Sequence, residues 1–311
     1  MPTKRLFFFW FLMLPFWHQQ AAHAAVGGNV SGTVTDRTGA VIPRAKVSAI
    51  NLDTGVQQAV ATNSVGVYSI SNLVVGHYDV AIIAPGFRPY RRAGVAVNVD
   101  DVLLVDAVLE IGPLSESVTV NQSAVHVETL NTQLGVVIKD PNIAAMPLNG
   151  RSYTDLLALQ PGVVPATTIT SLTVQGLGQS VFSPSGDLNP GILSINGQRE
   201  SANGFLVNGA DAEETGSLAA AIIPNLDSIA EFRILSDNFD AEYGRYTGAQ
   251  INVITKSGTN QFHGDLFDFL RNTDLDARNY FSPTRGEFTQ NQFGATIGGP
   301  VLRQRLFYFS D

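Results

Sequence analysis

Apolar and polar positions alternate with a period of two over many short stretches of this chain, and turn-forming residues separate the stretches. Between residues 30 and 109 the alternating runs are Val30–Thr35, Ala45–Leu52, Gln57–Thr62, Val67–Ile70, His77–Ala84, Val95–Val99 and Leu103–Leu109. Such alternation marks half-buried strands, because successive side chains leave opposite faces of the pleat. Turn signals recur about every ten residues, the spacing of a small β-sandwich. Asp36-Arg37-Thr38-Gly39 is one such turn, and Gly39 and Gly66 fall where hairpins need a positive φ. Tyr68, Ile70, Leu73, Tyr78 and Val80 are expected to point inward and build the core.

Gly112-Pro113 breaks this pattern and marks a boundary. Beyond it the signals mix. Val136–Lys139 reads as a strand, Pro147–Arg151 as a turn, and Ser152 with Asp155 as a capping box for a helix over Leu156–Leu159 that Pro161-Gly162 ends. Residues 171–190 are rich in Ser, Gly, Asn and Pro and read as a loop. From Pro224 to Asn260 the order is a short helical turn, a strand (Glu231–Ser236), a corner at Tyr243-Gly244-Arg245 and a second strand (Ala249–Thr255). In that strand Ile251, Val253 and Thr255 share one face and Gln250, Asn252 and Lys256 the other, so one face is expected to meet solvent. Strands follow at Gln261–Arg271, Gln292–Gly298 and Leu306–Phe309, with a polar loop over Asn272–Asn291. Phe293, Ala295 and Ile297 face one way and Gln292, Gly294 and Thr296 the other.

The N-terminus predicts export. Lys4 and Arg5 precede an apolar core, Leu6–Trp17, and Ala22-His23-Ala24 forms a cleavage site before Ala25. That core is too short to span a bilayer as a helix, and no uninterrupted apolar run of about eighteen residues follows it. Charged residues make up only 15% of the chain, which favours strands and turns over long solvated helices. A net charge of −8 argues against a nucleic-acid partner, which needs a basic footprint. The absence of cysteine excludes a disulfide framework and a thiolate metal site.

Little here points to chemistry. The histidines after the leader, His77, His126 and His263, lie far apart, without the spacing of a zinc peptidase. Asp211, Glu213, Glu214, Asp227, Glu231, Asp237, Asp240 and Glu242 gather without a calcium-loop pattern, and are expected on a solvated face or bonded to a barrel wall. Nucleophile-elbow, Walker A and Rossmann glycine patterns are missing. The reading is of a non-enzyme without cofactor or metal.

Several motifs carry a family resemblance. Residues 224–260 (PNLDSIAEFRILSDNFDAEYGRYTGAQINVITKSGTN) resemble the end of the plug domain of TonB-dependent outer-membrane receptors. Met146–Val163, with Pro147-Leu148-Asn149-Gly150-Arg151, and Ile192–Asp211 resemble earlier plug segments. Asn208 stands where many plugs carry aspartate, which puts any contact of that carboxylate in doubt. The pattern from Gly32 to Phe87 resembles the carboxypeptidase regulatory-like domain, a non-catalytic transthyretin-like module. Its position before a plug resembles the Oar-like branch of the receptors.

The resemblance implies a mainly β chain with an α+β plug. Its parts are a signal peptide (1–24), a transthyretin-like β-sandwich (25–112), the plug (113–258) and the first strands of an outer-membrane β-barrel (259–311). It also implies a mobile, β-prone TonB box, for which Glu116, Ser117, Val118, Thr119 and Val120 are the candidate; the alternative is that they form the first plug strand. The implied partners are a TonB-type energy-transducing protein, the outer membrane and an unidentified transported ligand, with the sandwich in the periplasm. A plugged barrel needs about 22 strands, and residues 260–311 hold about three, each of about 9–11 residues, so the chain reads as an N-terminal portion. A secreted or surface protein that binds carbohydrate or protein without transporting anything is the other function class consistent with the pattern.

Overall fold

Among the described residues, chain order begins with nine strands: β1 (Gly28–Asp36), β2 (Lys46–Asn51), β3 (Gln57–Ala61), β4 (Val67–Leu73), β5 (Gly76–Ile83), β6 (Tyr90–Val97), β7 (Val102–Leu104), β8 (Ala107–Leu109) and β9 (Val118–Val120). The computed structural model describes residues 27–113, 118–120, 133–140, 143, 148, 151, 153–165, 172–173, 180–181, 193–213, 220–278, 280, 283–287 and 289–311. One sheet runs β4-β1-β7, with β8 also pairing β1, and a second runs β3-β2-β5-β6-β9. Tyr68, Ile70, Leu73, Tyr78 and Val80 are all buried in one cluster with Val30, Val47 and Leu109. Both tyrosines satisfy their hydroxyls, Tyr68 on the Val105 carbonyl and Tyr78 on that of Val74, each at 2.7 Å, so each ring is buried without stranding a polar atom. Gly39 and Gly66 take φ of 87° and 74°, the left-handed values their hairpins require.

Two strands differ from expectation. The run expected at Val95–Val99 starts at Tyr90 and stops at Val97, leaving residues 98–101 as a turn. The stretch Leu103–Leu109 splits into β7 and β8, both parallel to β1. Between them the Asp106 carboxylate accepts from the Thr33 amide at 2.7 Å, which replaces a ladder bond.

The middle of the chain forms β10 (Leu134–Lys139), α1 (Tyr153–Leu157), β11 (Val163–Pro165), β12 (Leu172–Thr173), β13 (Ser180–Val181), β14 (Leu193–Ile195), β15 (Gly204–Val207), β16 (Ala210–Asp211), β17 (Ile229–Asp237) and β18 (Gln250–Thr255). Its main sheet has the order β10-β17-β18-β15-β16. The helix packs on this sheet through Tyr153, whose ring lies 5.7 Å from that of Phe232. It spans Tyr153–Leu157 rather than the expected Leu156–Leu159; Ser152 of the capping pattern lies outside the described residues. Within the expected loop at 171–190, β12 and β13 make a short antiparallel pairing. The Tyr243-Gly244 corner is a 3-10 turn in which Gly244 has φ −62°, so no left-handed residue is needed.

The expectation that β18 is half-solvated is wrong. Gln250 through Ile254 are all buried. One face carries Ile251 and Val253 into the second core, and the polar face is covered by the 98–101 turn of the sandwich.

Last come β19 (His263–Asn272), β20 (Thr289–Leu302) and β21 (Leu306–Ser310), an antiparallel meander. On β20 the odd positions from Asn291 to Ile297 are exposed and the even ones shielded. Leu266 and Phe293 are 88% and 76% exposed on the outward face, which Asp268, the register partner of Phe293, shares. Gly294 is paired with Phe267, and a Cβ there would collide with that ring.

Candidate functional site

Of the candidate coupling residues, Val118, Thr119 and Val120 form β9, while Glu116 and Ser117 lie outside the described residues. Among the described residues, β9 is not a strand of the β10-β17-β18-β15-β16 sheet. It pairs in parallel with β6, in the register Tyr90↔Val118, Arg91↔Thr119 and Arg92↔Val120. The chain leaves the sandwich through an Ile111 bridge to Phe87 and a Gly112 amide donating to the Gly86 carbonyl. Ala24 and Ala25 lie outside the described residues.

A buried polar junction joins sandwich and plug. Glu231 and Arg233 on β17, with Gln250 and Asn252 on β18, form one face of the plug sheet, and the 98–101 turn seats on it. The Val99 amide donates to Glu231 Oε1, and Arg233 Nη1 donates to the Val99 carbonyl at 3.0 Å. Arg233 also lies 3.4 Å from the fully buried Asp101 carboxylate. Asp101 accepts from the Asn98 backbone and side-chain amides, both at 2.7 Å, which holds the turn closed. Asn252 Nδ2 donates to Asp100. Burial pushes the Glu231 carboxyl up to about 7, against the smaller opposing pulls of the Val99 amide and the Lys139 and Arg233 charges. Glu231 therefore does not lie on the expected solvated face.

Other acids are paired as well. Arg245 reaches Asp211 at 3.3 Å and also Glu213. Arg151 binds both Asp227 oxygens, at 2.7 and 2.8 Å, and its guanidinium carbon lies 3.8 Å from the centroid of the Phe269 ring. This cation–π contact ties the plug to β19. Asn208, at φ 49°, begins the tight turn between β15 and β16; its side chain donates to Thr255 Oγ1 at 2.8 Å and accepts from the Thr255 amide at 3.0 Å.

Sequence reasoning missed the junction. Its available signal was a same-face set of Glu, Arg, Gln and Asn on two adjacent strands, which an exposed sheet explains equally well until a partner surface is found.

A small sandwich, a helix-backed mixed sheet and an antiparallel meander follow one another along the described residues. The chain is similar to TonB-dependent receptors that carry a carboxypeptidase regulatory-like domain. Residues 29–110 match the carboxypeptidase regulatory-like domain and residues 254–311 an outer membrane beta barrel domain. The TonB-dependent transporter Oar of Myxococcus xanthus is 27% identical over 311 residues, covering 93% of this chain and 27% of that protein. The chain thus spans about a quarter of that relative's length. Among solved structures, the siderophore receptor PirA from Acinetobacter baumannii is 21% identical, covering 58% of this chain and 24% of its own, with a TM-score of 0.42. The outer membrane transporter YddB from Escherichia coli is 14% identical over 53% of this chain and 24% of its own, with a TM-score of 0.39. Overlaps this slight carry neither fold nor function.

Proposed function

We propose that this chain is the N-terminal portion of an energy-coupled outer-membrane transporter. Its domains would be a signal peptide (1–24) cleaved before Ala25, a periplasmic sandwich (25–112), a plug (113–258) and the start of the barrel (259–311). Glu116–Val120 would receive pulling force from a TonB-type protein by strand addition, and the plug would gate passage of a ligand. Similarity to a protein named a transporter supports this reading. The observation that carries it is Arg151. Its charge is fixed on Asp227 of the plug while its flat face rests on Phe269 of β19, so the plug seats against the wall on the side opposite the exposed Leu266 and Leu270. A secreted binding protein would have no use for that outward apolar face.

Gating can be tested without knowing the ligand. The receptor encoded by the complete reading frame should be nearly non-conducting in planar bilayers, and removal of residues 113–258 should open a large conductance. Equal conductance of the two proteins would overturn the reading.

A further inference from the structure

β6 would be the bare edge of its sheet if β9 did not cover it. Bare edges are templates for strand addition, and strand addition is how a coupling segment would join the sheet of its partner. The same three residues therefore serve two edges. In a parallel ladder each residue directs its N–H and C=O to one side and the next residue to the other. Three paired residues thus leave the groups of only one or two facing outward, too few for a second ladder along the free side of β9. A partner that needs Glu116–Val120 as a whole must first lift residues 118–120 off β6.

We propose that the β6 edge, Tyr90–Arg92, is an internal seat for the coupling strand, and that an energy-transducing partner engages the strand by competing with this seat. The inference rests on the reading of residues 116–120 as the coupling strand. The sandwich then keeps the strand docked until a partner arrives. Occupancy of the seat sets how much partner affinity is lost.

An engineered bond tests this, because the chain has no cysteine to interfere. Arg92→Cys with Val120→Cys joins register partners, whose strands run about 4.8 Å apart, inside the window for a disulfide. It leaves the Arg91–Asp79 ion pair in place. The full chain in detergent is oxidised, and its binding to the purified periplasmic domain of a TonB-type protein is measured before and after reduction. Because the reduced protein is its own control, a folding defect is visible at once. The expected result is ready bond formation and binding at least tenfold weaker in the oxidised form. Failure of the bond to form under mild oxidant would overturn the seat and leave the coupling-strand reading intact. If the bond forms and binding is unchanged, competition is overturned, and Val118→Pro then separates the two ideas. Loss of binding in Val118→Pro keeps the strand reading, whereas retained binding overturns that too. Absence of binding by either form would overturn the partner reading itself.

Discussion

Arg233 of the plug donates at 3.0 Å to the carbonyl oxygen of Val99 in the sandwich, across 134 residues of chain. Both residues are buried, and Asp101 lies beside them without solvent. Two domains with separate cores are thereby coupled through a polar rather than an apolar contact.

Arg233→Ala should loosen that coupling. It would leave Asp101 buried without its cation, and breaking a buried pair from one side costs roughly 3–5 kcal/mol. Limited proteolysis should then cut near residues 98–101 at a protease concentration that spares the parent. Unchanged cutting would show that the junction does not depend on this ion pair.

The junction should also respond to pH. The carboxyl of Glu231 is raised by burial to about 7 in the folded chain, among Lys139, Arg233 and Asp101. A raised carboxyl binds more protons folded than unfolded, so its contribution is full below the unfolded value and is lost as pH rises through about 7. The loss is at most roughly 3 kcal/mol. The melting temperature should fall between about pH 5 and pH 8, and Glu231→Gln should flatten the fall. A parent profile as flat as the variant's would contradict the assignment.

The sandwich has a core of its own, so residues 25–112 should fold and melt cooperatively alone. Tyr78→Ala removes a ring that is 4% exposed and a hydroxyl bonded to Val74. It should cost about 3–5 kcal/mol by analogy with other large aromatic deletions, enough to unfold a small domain. Chemical denaturation of the two polypeptides reads the difference.

Val118→Pro should abolish strand addition, because proline lacks the amide donor and resists central pairing. Val118→Ala should be milder. The full receptor carrying Val118→Pro should assemble in the outer membrane and fail in energised uptake; normal uptake would move the coupling strand elsewhere.

Export should remove the first 24 residues, since Ala22 and Ala24 fit the small-residue rule of the peptidase. Mass spectrometry of the exported protein should find Ala25 as its first residue. Retention of Leu6–Trp17 would refute this.

Much of the fold was legible because it is local. The inward set Tyr68, Ile70, Leu73, Tyr78 and Val80 follows from alternation alone. The hairpin turns at Gly39 and Gly66 follow from the few residues that tolerate positive φ. The strand Tyr90–Val97 was misplaced because Gly94, at φ 69°, interrupts its alternation. The junction had no local signature. Glu231, Arg233 and Asn252 look like a wet face in sequence, and only a turn more than 130 residues upstream makes it dry. The seat of β9 was hidden for the same reason, since three β-prone residues do not reveal which edge they join.

The order of strands in the plug has a mechanical meaning. Among the described residues the next strand after β9 is β10, which lies at the margin of its sheet and there pairs with β17 alone. In the transporter proposed above, tension entering from the N-terminal side would reach first the strand with a single ladder, and would strip its pairs one after another from Leu134 to Lys139. β17 and β18 behind it are each gripped on both sides. Such a load would meet a seam before the body of the sheet, and the plug would yield along one line while the rest stayed woven.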